Sequence, residues 1–190
     1  AALRRLCAEA EQAVREGAVL LLLSDRYAKD GMTPVHALLA TGAVHAHLVQ
    51  RQLRCDCNLL VETGSARDAH HFACLIGFGA TAVYPYLAYQ TLYDMNRRGE
   101  LKGREGEAPS EIGRSYRRGI KKGLLKILSK MGISSIAGYR GARLFEILGL
   151  APEVVDLCFP GTPSRIGGAG FADLEQELRM PARPAETPSP

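Results

Sequence analysis

The fold of this chain is decided by one apolar run, Ala18-Val19-Leu20-Leu21-Leu22-Leu23, which ends at the polar Ser24-Asp25-Arg26. Such a run is typical of a strand that is covered on both faces, as strands of parallel sheets are. Two shorter apolar runs follow at residues 57–61 and 81–84. Helical patterns separate the three runs, and such crossover connections make the strands parallel. Residues 1–86 are therefore predicted to be an α/β unit with a parallel sheet.

Three helices are predicted around these strands. A first helix precedes the sheet and ends near Gly17. Thr33 and Pro34 provide a helix start, and apolar residues recur at helical spacing as far as Leu53. Ser65 with Asp68 three residues on resembles a capping box, which predicts a further helix from Ala66 to about Gly77.

The composition changes after residue 95. Residues 96–118 are charged, rich in glycine and poor in apolar side chains, which predicts a basic linker or exposed loop. The pattern beyond it predicts a helix from Ile120 to near Gly132, a helix from Ser134 or Ser135 to Gly149, a short helix or turn at 152–158, a loop over 161–170 and a last helix at 172–178. The proline-rich residues 180–190 are predicted to be a disordered tail. We expect residues 1–90 and those after 119 to pack as two separate pieces.

Composition excludes several classes of function. The net charge of +4 is concentrated in residues 97–126, which hold ten Lys or Arg against four Glu, so a basic linker or docking face is favoured over a nucleic-acid-binding body. The chain has no Trp for base stacking and no apolar run of the roughly 18 residues that cross a membrane. Five cysteines without a secretory signal favour free thiols, so we expect a soluble cytoplasmic protein that binds neither nucleic acid nor membranes.

Histidine and cysteine spacing does not predict a metal site. His45 and His47 are about 200° apart on a helix, and His70 and His71 are about 100° apart, so neither pair naturally chelates one ion. Cys55 and Cys57 have no second cysteine pair in the sequence. Structural roles are favoured for these residues.

Two other segments could hold a ligand. Residues 161–168 offer small residues, hydroxyls and Arg165 to an anion. Met131 and Gly132 could lie against a flat ring. From the residues alone, a tight turn and a helix end are the favoured interpretations.

Several strings resemble a known family in order along the chain. Those resembling the central domain of the glutamate synthase large subunit are Leu23-Ser24-Asp25-Arg26, residues 34–45, residues 61–73 and residues 84–89, where Tyr84 replaces the usual Asn. Those resembling the opening of the same protein's FMN-binding (β/α)₈ barrel are residues 122–134, 139–142 and 164–168. The resemblance implies a division into the end of the central domain (1–95), a basic linker (96–118), the mostly helical start of the barrel (119–179) and the tail (180–190).

The resemblance also implies a function. The chain would be a fragment of an oxidoreductase acting on CH–NH₂ donors, which reduces the imine formed from 2-oxoglutarate and glutamine-derived ammonia to L-glutamate. FMN is the implied cofactor, with Met131, Gly132, Ile133 and Ser134 at the flavin end of the barrel and Arg165 as a further candidate. The closely spaced cysteines of the family's 3Fe-4S cluster are absent, and no catalytic residue or metal ligand is assigned in this chain.

The implied partners are the rest of the large subunit, the substrates 2-oxoglutarate and glutamine, and an electron-donor subunit or ferredoxin. We expect the isolated chain to be inactive, because one part of a barrel cannot enclose a flavin. The alternative is a truncated, non-catalytic fragment that acts as a structural or interaction module.

Overall fold

The first half of the chain folds around a three-stranded parallel sheet. The computed structural model describes residues 1–27 and 33–180, so the predicted tail lies outside the described residues except for Met180. The strands are β1 (Leu20–Ser24), β2 (Asn58–Glu62) and β3 (Ala82–Tyr84), in the order β1-β2-β3. Both pairings are parallel, which confirms the predicted fold class.

The helices of this half are α1 (Ala2–Arg15), α2 (Ala37–Gln50) and α3 (Ala69–Gly77). Two of them begin later than predicted, because other side chains cap them. The ring of His36 accepts the Leu38 N–H, so α2 starts after His36 rather than at Thr33. Asp68 accepts the N–H groups of His70 and His71 at the start of α3, where the sequence had indicated Ser65.

About half of the predicted linker is helical. Helix α4 (Tyr86–Arg97) is followed by α5 (Pro109–Lys130), so only residues 98–108 lack helix, and the predicted start near Ile120 is wrong. Pro109 can begin a helix because its missing N–H would have no partner there. Ile112, on the first turn of α5, is 3% exposed and anchors the new helical segment. At the base of the intervening loop, the Asn96 side chain donates a hydrogen bond of 3.0 Å to the Glu107 carbonyl.

The second half contains strands where the sequence predicted a helix and a loop. Helix α6 (Ile136–Tyr139) is one turn long, since Gly141 takes a φ of +72° and donates a hydrogen bond to the Gly77 carbonyl. Strand β4 (Ile147–Leu150) follows and pairs in parallel with β5 (Ser164–Ala169), so the predicted helix to Gly149 and the predicted loop are both corrected. A side chain at Gly168 would collide with the Gly149 backbone, so glycine is what allows the two strands to approach. The short helix at 152–158 and the last helix are present as α7 (Pro152–Cys158) and α8 (Phe171–Arg179).

The main hydrophobic core joins the two halves. It contains side chains of α1, α2, β1 and β2 together with Ile147, Val154, Val155, Cys158 and Phe159. Gly42 on α2 lies directly against the Cys158 carbonyl and the Phe159 ring, leaving no room for a Cβ. The expectation of two separately packed pieces is therefore wrong, because α7 covers the outer face of α2. Within the described residues, no helix is both long and apolar enough to cross a membrane.

Candidate functional site

Polar side chains gather where the three parallel strands end. Ser24 ends β1 and Asp25 follows it, while Glu62 ends β2 and Thr63 follows it. The carboxyl ends of parallel strands meet at one edge of the sheet, which is where α/β proteins usually bind ligands. A cleft of about 740 Å³ opens beside this edge and is lined partly by Ser24, Asp25 and Glu62.

Glu62 is held as a carboxylate by its two neighbours. The Ser24 hydroxyl donates a hydrogen bond of 2.7 Å to Oε2, and the Arg26 guanidinium donates one of 3.1 Å to Oε1. These hydrogen bonds, the Ser24 one foremost, lower the pKa of Glu62 despite its burial at 8% exposure. Glu62 is therefore ionised at neutral pH and serves as an acceptor rather than as a proton donor.

Asp25 ties the end of β1 to the turn after β2. Its carboxylate accepts the Gly64 N–H at 3.0 Å and the Thr63 hydroxyl. Thr63 is fully buried, and its Oγ1 also accepts the Ser65 N–H at 3.1 Å. Each of these polar groups thus has a partner within the chain.

Tyr86 closes the cluster from the start of α4. The Arg26 guanidinium lies 5.3 Å from the centroid of its ring, within the range of a cation–π contact. Burial and the nearby Asp25 carboxylate raise the pKa of Tyr86, so its hydroxyl stays protonated. A Cβ on Gly64 would lie 3.1 Å from that hydroxyl, so a larger residue would crowd it.

The chemistry of this cluster is structural. It holds a stabilised carboxylate and a neutral phenol, and neither is free to act as an acid or base without breaking its contacts. None of these residues was predicted from the sequence to form a site. Their signal was available, because Ser24-Asp25-Arg26 and Glu62-Thr63-Gly64 directly follow the first two predicted strands.

The structure brings four of the five predicted flavin-site residues together in one turn at the end of α5. Met131 is 41% exposed, and Ser134 is also exposed. Gly132 has a φ of +69°, and no atom of a neighbouring residue lies where a Cβ would stand. Its N–H bonds to the Ser129 carbonyl and that of Ile133 to the Leu128 carbonyl, so both are used in ending the helix.

Arg165 lies on β5, apart from that turn. Its guanidinium is exposed and pairs with Glu146 at 3.1 Å. Among the described residues, no hydrogen bond or ion pair connects Arg165 with residues 131–134. The role of all five residues toward a flavin remains a prediction.

The histidines have individual structural partners. His45 is half-buried and accepts a hydrogen bond of 3.0 Å from Arg54, and this burial together with the nearby guanidinium groups lowers its pKa to about 4. His47 contacts Glu11 at 2.6 Å. Across residues 1–27 and 33–180, no group of three His, Cys, Asp or Glu side chains is arranged to hold a metal ion.

Comparison with known proteins identifies the family. The model of the glutamate synthase central domain matches residues 1–151. The chain belongs to the glutamate synthase family. The family match crosses residues 96–118 and continues into the segment predicted to open the barrel, and the division of the chain at residues 95 and 119 remains a prediction.

Three curated relatives show how the chain relates to full glutamate synthases. It is 44% identical over 183 residues to the ferredoxin-dependent glutamate synthase of Cyanidium caldarium, covering 92% of this chain and 12% of that protein. It is 42% identical over 183 residues to the NADPH glutamate synthase large chain of Bacillus subtilis, covering 96% and 12%. It is 42% identical over 172 residues to the NADH glutamate synthase of Saccharomyces cerevisiae, covering 88% and 8%. This member of the family thus spans about an eighth or less of those relatives.

A solved structure shares the fold of this chain. A mutant flavocytochrome b2 with pyruvate bound superposes with a TM-score of 0.54 at 15% identity, covering 97% of this chain and 40% of that one. That flavoprotein is a (β/α)₈ barrel, so the likeness supports the parallel α/β architecture. At this identity the likeness concerns the fold alone.

Proposed function

We propose that this chain works as a segment of a glutamate synthase large subunit, in the protein that reduces the imine of 2-oxoglutarate and glutamine-derived ammonia to L-glutamate. The observation that supports this function is identity of 42–44% over nearly the whole chain. The matched relatives use ferredoxin, NADPH or NADH, and their identities to this chain are almost equal. That equality supports a role for the segment that does not depend on the electron donor.

In this proposal the segment is a rigid scaffold that holds neighbouring parts of the large subunit in position. The groups at the strand ends are paired with one another, as shown by Asp25 with Gly64 and by Glu62 with Ser24 and Arg26. Such pairing fixes the ends of β1 and β2 relative to each other. Its partners are the rest of the large subunit and, through the whole enzyme, glutamine, 2-oxoglutarate and the electron donor.

The turn at residues 131–134 fits one edge of an FMN site. Met131 offers an exposed, pliable apolar side chain, Gly132 leaves open space beside the backbone, and Ser134 offers an exposed hydroxyl. Arg165 is suited to a phosphate, and binding one would require it to leave Glu146. FMN, when bound, supplies the electrons for reduction of the imine. The chain's own residues would contribute contact and orientation.

A chimera tests the proposal. The region of the Bacillus subtilis large chain that matches this chain is replaced by the present sequence, and glutamate formation that depends on glutamine, 2-oxoglutarate and NADPH is measured. We expect activity within about tenfold of the parent. A matched control replaces the same region with a scrambled sequence of the same length, which should abolish activity. A folded chimera that binds FMN and hydrolyses glutamine but forms no glutamate would contradict the proposal.

A further inference from the structure

One face of the three-stranded sheet is uncovered. Side chains alternate between the two faces of each strand, and on one face Leu21, Leu59 and Val61 are 8%, 0% and 1% exposed. On the other face Leu20 and Leu22 are each 62% exposed and Tyr84 is 50% exposed. Strands of parallel sheets are normally buried on both faces. The open face therefore has an exposed apolar centre without, among the described residues, a covering layer.

The strand register arranges the open face in layers. Leu22, Leu60 and Ala82 are register partners and form an apolar middle layer. Ser24, Glu62 and Tyr84 form the next layer, at the carboxyl end, where the charge of Glu62 is balanced by Arg26. Leu20 and the exposed Asn58 form the layer at the amino end. An occupant of this face must therefore be apolar across the middle and must accommodate polar side chains at both ends.

The size of the face indicates what kind of occupant it takes. Two strands of five residues and one of three, about 4.8 Å apart and rising about 3.3 Å per residue, give a patch of roughly 200 Å². A stable interface between separate proteins buries about 800 Å² on each partner. A patch this small suits a segment of the same polypeptide, which needs no association from free solution.

We propose that this face is the docking surface for another segment of the same glutamate synthase large chain, which packs apolar side chains against Leu20, Leu22 and Leu60. The inference rests on the proposed function, because the relatives carry about seven eighths of their sequence outside the region that this chain matches. To the proposed function, the inference adds the surface of this segment that the rest of the large chain contacts. A second copy of this chain is the competing occupant, and the test separates the two.

Cysteine accessibility tests the proposal. Leu20→Cys and Leu22→Cys are made singly, both in the 190-residue chain and in the Bacillus subtilis chimera. Labelling by a water-soluble maleimide is followed at each position by peptide mass spectrometry, which also separates these sites from the native cysteines. The control is Val49→Cys on α2, where the native side chain is 52% exposed but lies off the sheet. We expect both sheet positions to react at least tenfold more slowly in the chimera than in the free chain, and Val49→Cys to change less than twofold.

Each other outcome overturns the proposal. Equal labelling of Leu22→Cys in the free chain and the chimera would show that nothing covers the face. Equal protection of all three positions would indicate general shielding. Protection of Leu22→Cys in the free chain that rises with concentration, with a dimer seen by light scattering, would make a second copy the occupant. A chimera that forms glutamate but stays fully labelled at Leu22 overturns this inference alone, whereas an inactive chimera protected at Leu22 overturns only the proposed function.

Discussion

The Asp25 carboxylate accepts the backbone N–H of Gly64 at 3.0 Å, which joins the end of one parallel strand to the turn that follows the next. The same carboxylate accepts the hydroxyl of Thr63, a residue with no exposed surface. Residues 39 positions apart in the sequence are thereby fixed at the edge of the sheet, where the polar cluster lies.

Removing that carboxylate should destabilise the fold. Asp25→Ala leaves the Gly64 N–H without its acceptor, while the Thr63 hydroxyl can still donate to the Ser65 hydroxyl 2.9 Å away. An unpaired buried polar group costs about 1–3 kcal/mol. We expect the free energy of unfolding, measured by urea denaturation, to fall by about 2 kcal/mol. Asp25→Asn keeps one acceptor oxygen and should lose less. Equal stability of Asp25→Ala and the parent chain would contradict the structural role given to this residue.

Glu62 should make the stability of the chain depend on acid pH. Its pKa in the folded chain lies below the ordinary value of 4.5, so its ionised form stabilises the fold above that value and the contribution is lost as the pH falls through the lowered pKa. The gap in unfolding free energy between the parent and Glu62→Gln should therefore be largest at pH 7 and should shrink below about pH 4. The exposed Glu177, changed to Gln, is the control. A gap that is constant from pH 3 to pH 7 would argue against the lowered pKa.

Gly42 and Gly119 form a matched pair for testing the shared core. Both lie within helices, but a Cβ on Gly42 would collide with Cys158 and Phe159, whereas a Cβ on Gly119 meets no neighbouring atom within 4 Å. Gly42→Ala should destabilise the chain by about 1–3 kcal/mol through overpacking. Gly119→Ala should stabilise it by up to about 1 kcal/mol through helix propensity. Thermal and urea unfolding measure both, and a neutral Gly42→Ala would contradict the packing of α7 on α2.

Substitution of Gly132 should strain the backbone of the turn and should also reduce flavin binding. In the Bacillus subtilis chimera, Gly132→Val should cut flavin content and glutamate formation while glutamine hydrolysis continues, because a β-branched residue is strained at a φ of +69°. Gly132→Asn separates the two causes, since Asn tolerates this conformation but still adds a side chain. Loss of flavin absorbance with Asn as well as with Val would indicate contact with the flavin. Lys102→Ala is the control, and full flavin occupancy with Val would return this turn to an ordinary helix end.

The first three strands could be predicted because each is a local apolar run whose neighbours are helices. Strand β5 could not, since Gly167 and Gly168 have the composition of a turn and become a strand only by pairing with β4. The start of α5 was missed for a similar reason. The residues before Ile120 are mostly charged or small, and this part of the helix packs on the fold through the buried Ile112, a contact that the local sequence does not reveal. The end of α5 at Met131 and Gly132 is a local signal and was predicted, whereas the Asp25 cluster depends on contacts 38 and 39 residues apart.

The hydrogen bond between Asn96 and the Glu107 carbonyl has a practical consequence for engineering this segment. It closes the loop at its base, so we expect the number of residues in the loop to be changeable without moving α4 or α5. Gly103 lies in that loop with a φ of +74° and no neighbour within 4 Å of a Cβ position. We therefore expect an epitope tag or a fluorescent reporter inserted after Gly103 to label the chain while leaving the sheet and the turn at Gly132 untouched.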